Sequence, residues 1–532
     1  MKKSCLLFAL LSVFWLNVSA VRAIALNTQL SDAPLSYLGA LNYQYTGWST
    51  SAGDVDGDGT TDLLIGGGRV YLILGSNIGV RTGTTIEDFA DASFLAENPG
   101  DDFGNAVCMT GDVNNDGFDD ILIGAPRYDS SRGKTYLIYG KASGWSKNTP
   151  VTTAAAATFV GRAGNDWSGY SLGFAGDINN DDFDDILIGA YLADHSGLTN
   201  AGAAYLFLGK AAGWSGDFIV TDGDALFVGE NSSDGFGRKV SAAGDVNNDG
   251  FADFLVSATG GHAGHGEIYL FLGAESNWAG TIDASNAAAS FYGENDGDYA
   301  GFSASSAGDV NSDGFSDLLI GADENDYGGS RAGKAYLIFG KEAGWTMNTD
   351  LALSDGSFFG EQAGDHLGKP VSAAGDVNND GYGDFFVGAT WASHYTGKAY
   401  LIYGKASGWE NNVSIGTADG SFLGEAAYDY AGFSLTAAGD INRDGNGDFL
   451  ISAAYFGNYY TGKAYFFYSD APVLGDLNGD GALNLTDAIA GLQLITGKEP
   501  AGEFGSRAEV DGDDKIGMAE ILYLLGSVAG SR

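Results

Sequence analysis

Seven short segments of this chain repeat one pattern of oxygen-bearing side chains. Each segment spans nine residues and has Asp at positions 1, 5 and 9 and Asp or Asn at position 3. A tight loop that supplies these side chains, together with the carbonyl of position 7, forms the kind of oxygen cage that binds Ca²⁺. One copy alone would also fit a solvated Asp/Asn/Gly turn. Seven copies, spaced 58 to 68 residues apart, favour metal binding.

The predicted ligands are therefore five residues from each loop, about seven Ca²⁺ ions in all. In chain order they are Asp54, Asp56, Asp58, Thr60 and Asp62; Asp112, Asn114, Asp116, Phe118 and Asp120; Asp177, Asn179, Asp181, Phe183 and Asp185; Asp245, Asn247, Asp249, Phe251 and Asp253; Asp309, Asn311, Asp313, Phe315 and Asp317; Asp376, Asn378, Asp380, Tyr382 and Asp384; and Asp440, Asn442, Asp444, Asn446 and Asp448.

Position 6 of the loop is Gly in six copies and Asp182 in the third. Glycine enters the positive-φ region without steric cost, and a sharp turn requires that conformation. We therefore expect Asp182 to strain its loop.

The net charge of −43 would suit a disordered acidic chain, but 44% hydrophobic and 13% aromatic residues indicate a globular protein. The seven loops hold 25 of the 69 carboxylates, which repel one another unless cations lie among them. Calcium is therefore expected to contribute to folding. The lack of a basic stripe argues against nucleic acid as a partner.

Residues 1–25 have the features of a secretory signal. Lys2 and Lys3 precede an apolar run over residues 6–16, and small residues offer cleavage sites ending at Ala20 or Ala25. The run is too short to span a bilayer, although an uncleaved anchor is an alternative. We expect a secreted or cell-surface monomer without a membrane span after signal removal.

Around the loops, a unit of about 64 residues repeats four short runs of β-branched and aromatic residues between turns. The last unit shows them at residues 421–425, 431–434, 448–453 and 462–468. Seven four-stranded antiparallel sheets predict an all-β fold, a seven-bladed β-propeller over residues 26–470. A strand at about residues 36–39 should close the last blade. Neighbouring blades should crowd together at Gly124, Gly189, Gly321 and Gly388.

Phe103-Gly104 and Gly124-Ala125-Pro126, on either side of the Asp112–Asp120 loop, resemble the FG-GAP repeat of the integrin α-subunit propeller. The resemblance covers about residues 36–470. It implies a propeller with calcium loops and a role in adhesion. Integrin-type propellers carry the loop in only some blades, whereas every repeat here has it.

After residue 470 the pattern changes to two loop-helix units, predicting a small α-helical domain with paired EF-hand loops over residues 471–532. This module resembles a dockerin, which implies a cohesin-like partner and one or two further Ca²⁺ ions. The alternative is a calcium-stabilised terminal module without a dedicated partner. The predicted ligands are Asp476, Asn478, Asp480, Ala482, Asn484 and Asp487 in the first loop and Glu509, Asp511, Asp513, Lys515 and Glu520 in the second. The second site should be weaker, because Asp514 replaces the usual Gly.

The loops on the opposite face of the predicted propeller vary in sequence and carry all five histidines with many Tyr and Trp residues. Such a face suits an extracellular glycan or protein ligand. No catalytic set is recognisable, so the leading hypothesis is a secreted, calcium-dependent adhesion or ligand-binding protein. Two alternatives remain: a dockerin-bearing polysaccharide lyase or glycoside hydrolase, or an accessory module of such a complex, and a calcium-stiffened surface-layer component. The histidines are His195, His262, His265, His366 and His394.

Overall fold

The computed structural model describes residues 28–78, 85–457 and 459–469. The predicted signal segment and the predicted dockerin-like module at 471–532, with its two calcium loops, lie outside the described residues. Within the described ranges, none of the helices has the length and apolar character needed to cross a membrane.

The described residues form short strands throughout, in seven sheets. The strands are β1 (Thr28–Gln29), β2 (Leu35–Leu38), β3 (Thr50–Gly53), β4 (Asp62–Ile65), β5 (Arg69–Ile73), β6 (Ala92–Leu95), β7 (Val107–Cys108), β8 (Ile121–Ala125), β9 (Lys134–Ile138), β10 (Thr149–Pro150), β11 (Ala157–Val160), β12 (Ser171–Gly176), β13 (Asp185–Ala190), β14 (Ala203–Phe207), β15 (Gly216–Ile219), β16 (Ala225–Val228), β17 (Phe236–Gly244), β18 (Asp253–Ala258), β19 (Glu267–Phe271), β20 (Gly280–Asp283), β21 (Ala289–Tyr292), β22 (Ser303–Gly308), β23 (Asp317–Ala322), β24 (Lys334–Ile338), β25 (Thr349–Asp350), β26 (Gly356–Phe359), β27 (Leu367–Gly375), β28 (Asp384–Ala389), β29 (Lys398–Ile402), β30 (Val413–Ser414), β31 (Gly420–Leu423), β32 (Ala431–Gly439), β33 (Asp448–Ala453) and β34 (Lys463–Phe467).

Helical structure in the described ranges is confined to single turns within the connections. The α-helical turns are α1 (Ile86–Phe89), α2 (Tyr128–Ser131), α3 (Val151–Ala154) and α4 (Ala392–Tyr395), and the 3₁₀ turns are Leu30–Asp32, Gly75–Asn77, Val220–Asp222, His262–Gly264, Ala284–Asn286, Leu351–Leu353 and Ile415–Thr417.

Each sheet is one blade, in which four antiparallel strands run from the inner to the outer edge. This confirms the predicted seven-bladed β-propeller. Blade 1 contains β3–β6, blade 2 contains β7, β8, β9 and β11, blade 3 contains β12, β13, β14 and β16, blade 4 contains β17, β18, β19 and β21, blade 5 contains β22, β23, β24 and β26, blade 6 contains β27, β28, β29 and β31, and blade 7 contains β32, β33, β34 and β2.

Six of the seven sheets carry a fifth, short strand that pairs in parallel with the fourth. The sequence pattern predicted only four strands in each blade. In blades 1 to 5 the added strand comes from the connection between the third and fourth strands of the next blade, as β10 does beside β6. The connection is also held by side chains: the Asn148 N–H donates to the Ser93 hydroxyl at 2.8 Å. These connections therefore strap each blade to the next.

The described N-terminal segment joins the two ends of the ring. β2 pairs antiparallel with β34, placing Leu35 opposite Phe466, and β1 pairs in parallel with β31 of blade 6. Buried Tyr37 packs edge-on against Phe89 of blade 1, with ring centroids 5.2 Å apart. The segment therefore contacts blades 6, 7 and 1, and it supplies the edge strand that blade 7 lacks.

The second strand of every blade is buried along its length, which explains its nearly continuous apolar sequence. Neighbouring blades come into close backbone contact at the glycines predicted from the sequence. A Cβ added to Gly124 would lie 2.2 Å from the Gly169 carbonyl oxygen of the next blade, and one added to Gly321 would lie 2.0 Å from the Gly368 carbonyl oxygen. Only glycine allows this contact between backbones.

A three-residue clasp ties the fourth strand of one blade to the third strand of the next. Glu97, just after β6, accepts hydrogen bonds from the Lys134 ammonium and the Tyr136 hydroxyl, both at 2.8 Å. The same Glu–Lys–Tyr arrangement joins three later blade pairs: Glu294 with Lys334 and Tyr336, Glu361 with Lys398 and Tyr400, and Glu425 with Lys463 and Tyr465.

Between blades 3 and 4 the lysine of the clasp is replaced by Glu267. The Tyr269 hydroxyl then lies 3.0 Å from Glu267 and 3.3 Å from Glu230. Burial and the nearby Glu267 charge raise the pKa of Glu230. This seam therefore brings two carboxylates together where four other seams pair a carboxylate with an ammonium.

We predict that Glu267→Lys stabilises the propeller by about 1 kcal/mol at pH 7, because the new lysine would pair with Glu230 as Lys and Glu do in four other seams. Urea denaturation measures the change. Because the folded state raises the pKa of Glu230, its ionised carboxylate destabilises the wild-type protein at pH values above that pKa. This destabilisation shrinks as the pH falls and Glu230 takes up a proton. The gain should therefore shrink on acidification. Lys334→Glu, which creates the same carboxylate pair between blades 4 and 5, is the matched control and should destabilise. A loss of stability in Glu267→Lys would contradict this interpretation of the clasp.

Candidate metal centres

Each of the seven predicted metal loops joins the first and second strands of its blade. The Asp112–Asp120 loop, for example, connects β7 to β8, and the other six occupy the equivalent place in their blades. Because all first strands run in the same sense, the seven loops lie on one face of the propeller. The fold therefore brings the five predicted ligands of each repeat into one turn.

Hydrogen bonds within the loop direct the side-chain oxygens toward its centre. The Asp112 carboxylate accepts the N–H groups of Asp116 at 3.1 Å and Gly117 at 2.7 Å, and the Asp116 carboxylate accepts the Phe118 N–H at 3.2 Å. The same bonds from position 6 to position 1, and from position 7 to position 5, are present in all seven loops. The turn is thus organised by the carboxylates that are the candidate ligands.

Two residues of every loop have positive φ. The positive φ at position 6 was expected because six of the seven residues there are glycine, and Asp182 has a φ of 70° in the third loop. The positive φ at position 4 was not predicted. Four of the seven residues there are Asn, which enters the left-handed region more easily than most side chains. Asn115, for example, has a φ of 53°.

The aspartate at position 9 anchors the loop to the body of the blade. Asp120 is fully buried, and its two oxygens accept the N–H groups of Val113 at 3.1 Å and Gly140 at 2.9 Å. Gly140 follows the third strand, so this one carboxylate joins the metal loop, the second strand and the next connection. Burial raises the pKa of this aspartate to about 8 in Asp62, Asp120 and Asp185 and to about 7 in Asp253, Asp317 and Asp384.

The donor geometry fits a divalent cation. Ligand oxygens of Asp54, Asp56 and Asp58 all lie within 4.8 Å of one another, and oxygens that share a Ca²⁺ at roughly 2.3–2.6 Å cannot be much farther apart. In the second loop, the Asn114 side-chain oxygen is buried without a hydrogen-bond partner among the described residues. A cation would satisfy that oxygen and would favour the ionised form of buried Asp120.

The backbone of the first six loops is also bonded to the following blade. The Asp119 N–H donates to the Asp54 carbonyl at 3.0 Å, and the Lys141 N–H donates to the Val55 carbonyl at 2.8 Å. Equivalent bonds to the position-1 carbonyl join the next five seams, from Asp184 to Asp112, Ala252 to Asp177, Ser316 to Asp245, Gly383 to Asp309 and Gly447 to Asp376. The conformation of a loop is therefore coupled to the seam between two blades.

The histidines lie in connections on the opposite side and do not join the loops. His262 stacks on Tyr292 with ring centroids 3.9 Å apart, and the His265 ring bonds the Gly293 carbonyl at 2.8 Å. Buried His366 lies 3.4 Å from the Asp323 carboxylate. These contacts fix the three rings within the connections that carry them.

We predict that Asp182→Gly raises the free energy of unfolding by about 0.5–1 kcal/mol, because glycine relieves the cost of the left-handed backbone. Chemical denaturation measures the change. Gly250→Asp in the next loop is the reverse control and should destabilise. A Cβ at Gly250 would meet no atom within 4 Å. A loss of stability in Gly250→Asp would therefore come from backbone strain and not from a steric clash. A less stable Asp182→Gly variant would show that the aspartate contributes more than its strain costs.

Comparison with known proteins agrees with this repeat structure. A family model described as the FG-GAP repeat matches the chain at residues 46–73, 103–139, 168–207, 236–271, 300–338, 371–402 and 431–467. Each matched segment includes a metal loop and the strands that flank it.

Curated relatives include integrin α-subunits and an enzyme. Integrin alpha-8 of Mus musculus is 31% identical over 253 residues, which cover 45% of this chain and 22% of the integrin. Phosphatidylinositol-glycan-specific phospholipase D of Bos taurus is 29% identical over 201 residues, or 35% of this chain and 23% of that protein. Integrin alpha-IIb of Mus musculus is 28% identical over 231 residues, or 41% of this chain and 20% of the integrin. The chain spans about a fifth of the length of these relatives. Its described part is an FG-GAP repeat β-propeller.

Proposed function

We propose that this chain is a secreted calcium-binding protein that uses the propeller face opposite the metal loops to bind an extracellular glycan or protein, as an adhesion or ligand-binding protein. The observation that supports the calcium assignment is the repetition, in all seven blades, of one loop lined by carboxylate and amide oxygens. Similarity to integrin α-subunits supports an extracellular, adhesive role.

Calcium suits these loops better than a transition metal, because every candidate donor is a carboxylate, amide or carbonyl oxygen. The charge of the protein points the same way, since a net charge of −43 disfavours a compact state unless cations offset it. Extracellular calcium modules often bind with dissociation constants of about 10⁻⁴–10⁻³ M. The propeller would therefore hold its ions in extracellular fluid and lose them to a chelator.

We expect Asp112→Ala combined with Asp116→Ala to lower the melting temperature by several degrees in millimolar calcium and to have little effect in EDTA. The reason is that the two carboxylates act through the bound ion, and the ion acts on the seam between two blades. Calorimetry in the two buffers measures both differences.

Glu275→Ala combined with Glu342→Ala removes the same charge from exposed positions outside the loops and is the matched control. It should leave the melting temperature unchanged in both buffers. Equal losses for the loop variant with and without calcium would count against a metal role.

The binding assignment rests on the other face, where the second and third strands connect and where successive blades join. Several large aromatic side chains project there into solvent: Tyr43 is 60% exposed, Tyr299 43% and Tyr428 60%. Exposed aromatic rings on short, strand-anchored loops offer contact area at low entropic cost. This face is therefore the better candidate for a ligand than the highly charged metal-loop face.

The experiment is binding of the purified chain to panels of immobilised glycans and extracellular matrix proteins, with calcium and with EDTA. We expect the chain to bind members of one panel, glycans or matrix proteins, in calcium and to lose this binding in EDTA. The double Glu275/Glu342 variant should bind as the wild type does. Absence of binding across both panels would contradict adhesion, and cleavage of a polysaccharide would replace it with the enzymatic alternative.

A further inference from the structure

Seven equivalent residues surround the central axis on the face opposite the metal loops. Each follows a glycine of positive φ at the start of the innermost strand, such as Gly237 with a φ of 83°. We call this set the axial ring. It consists of Trp48, Asn105, Tyr170, Arg238, Phe302, Lys369 and Phe433.

Four successive members of the axial ring contact one another and alternate between aromatic and cationic side chains: Tyr170, Arg238, Phe302 and Lys369. The Arg238 guanidinium lies 4.8 Å from the centre of the Tyr170 ring and 4.9 Å from that of Phe302. The Lys369 ammonium lies 4.0 Å from the same Phe302 ring. The two cations are therefore within about 9 Å of each other, across a single aromatic ring.

These cations are unusual in a chain with 26 basic and 69 acidic residues. Arg238 forms no ion pair with any residue in the described ranges, whereas most other arginines there pair with a carboxylate. Lys369 has one carboxylate nearby, Asp323 at 3.6 Å, which also lies 3.4 Å from His366. An acidic protein thus concentrates positive charge with little compensation at one end of its axis.

The residues just outside the axial ring are held in a costly backbone conformation. Each lies three positions before its axial-ring residue and has positive φ, although most carry bulky side chains. Tyr45, Trp167, Tyr299, His366 and Tyr430 have φ values of 51–55°. A non-glycine residue pays about 1–2 kcal/mol for this region. Strain of this kind is typical of sites where side chains must be presented in a fixed orientation.

We propose that the axial ring binds the carboxylate of an acidic sugar, a uronate unit of an extracellular glycan, with Arg238 and Lys369 pairing with the carboxylate while the aromatic members contact the sugar ring. This inference rests on the proposed function and names the ligand class of that face. A guanidinium matches a carboxylate through two parallel hydrogen bonds, and an ammonium adds a second charge-assisted contact.

The spacing of charge and aromatic surface favours a sugar acid over the side chain of an acidic protein. A uronate carries its carboxylate directly on a six-membered ring with a flat C–H face, so charge and apolar surface lie a few ångströms apart. The Arg238, Phe302 and Lys369 group presents the complementary arrangement, one aromatic ring between two cations. An Asp or Glu side chain supplies the charge on only one or two methylenes and has no flat C–H face to set against an aromatic ring.

The experiment is calorimetric titration of the full chain in calcium with a β-1,4-linked glucuronate trisaccharide and with cellotriose. Cellotriose has the same ring skeleton, with a hydroxymethyl group in place of each carboxylate. We expect the acidic trisaccharide to bind and cellotriose to bind at least tenfold more weakly. Arg238→Gln and Lys369→Gln should each weaken binding of the acidic trisaccharide by about tenfold or more, the usual effect of losing one charge-assisted hydrogen bond. Arg238→Lys should recover part of the loss.

Arg127→Gln is the matched control. Arg127 also lies over an aromatic ring on this face, 5.2 Å from the centre of Trp167, but it is paired with Asp102 at 2.8 Å. The Arg127→Gln variant should bind the acidic trisaccharide as tightly as the wild type does. An equal loss in Arg127→Gln and Arg238→Gln would overturn the assignment, as would equal affinity for cellotriose or stronger binding of a Glu-rich peptide.

The two proposals fail in different ways. If the wild type binds only neutral glycans or matrix proteins from the panels, the uronate inference is wrong and the proposed ligand-binding function stands. If it binds neither the trisaccharide nor any panel member, both are wrong. Circular dichroism of each variant confirms that the propeller is intact, so that a binding loss reports the removed side chain.

Discussion

The constraint on which this molecule depends is the burial of a carboxylate at position 9 of every metal loop. Asp120 has no exposed surface, and its oxygens are bonded to backbone N–H groups of the loop and of the connection after the third strand. Burying a charge is costly unless it is paired and hydrogen-bonded. The loop supplies the hydrogen bonds, and a cation among the other ligands would supply the opposite charge. Without that cation, burial raises the pKa of Asp120 to about 8.

This constraint extends beyond a single blade because the loops take part in the seams. At the loop face, backbone bonds such as that from Asp119 to Asp54 join one loop to the next. At the other end of the strands, the clasp of Glu97, Lys134 and Tyr136 joins the same two blades. The seam between blades 1 and 2 is thus closed at both ends by polar contacts, with apolar residues packed between them. Ligands on one face and metal ions on the other would therefore act on the same interfaces.

The sequence predicted the parts of this structure that repeat as patterns. Seven loops at a near-constant spacing predicted seven blades, and the glycines near the ends of the second strands predicted where the blades approach closely. Structural elements that leave no pattern in a short stretch of sequence were not predicted. A two-residue strand such as β10 shows no alternation of polar and apolar residues, and its partner β6 is more than fifty residues away. The clasp was missed for the same reason, because Glu97 and Lys134 meet only across a seam. The axial ring depends on residues from all seven blades, which no single repeat reveals.

Closure of the ring through β1 and β2 has a consequence for how the protein comes to be folded. Leu35 pairs with Phe466, so the contact that seals the ring joins residues separated by almost the whole length of the propeller. Contacts between residues so distant in sequence are slow to form, because a long stretch of chain must be brought back on itself first. During synthesis, the N-terminal strands emerge early and must wait until blade 7 has been made. Until then β2 has no partner strand and its edge is open to strands of other chains, so the nascent protein would be most prone to aggregate in the interval just before its last blade is complete.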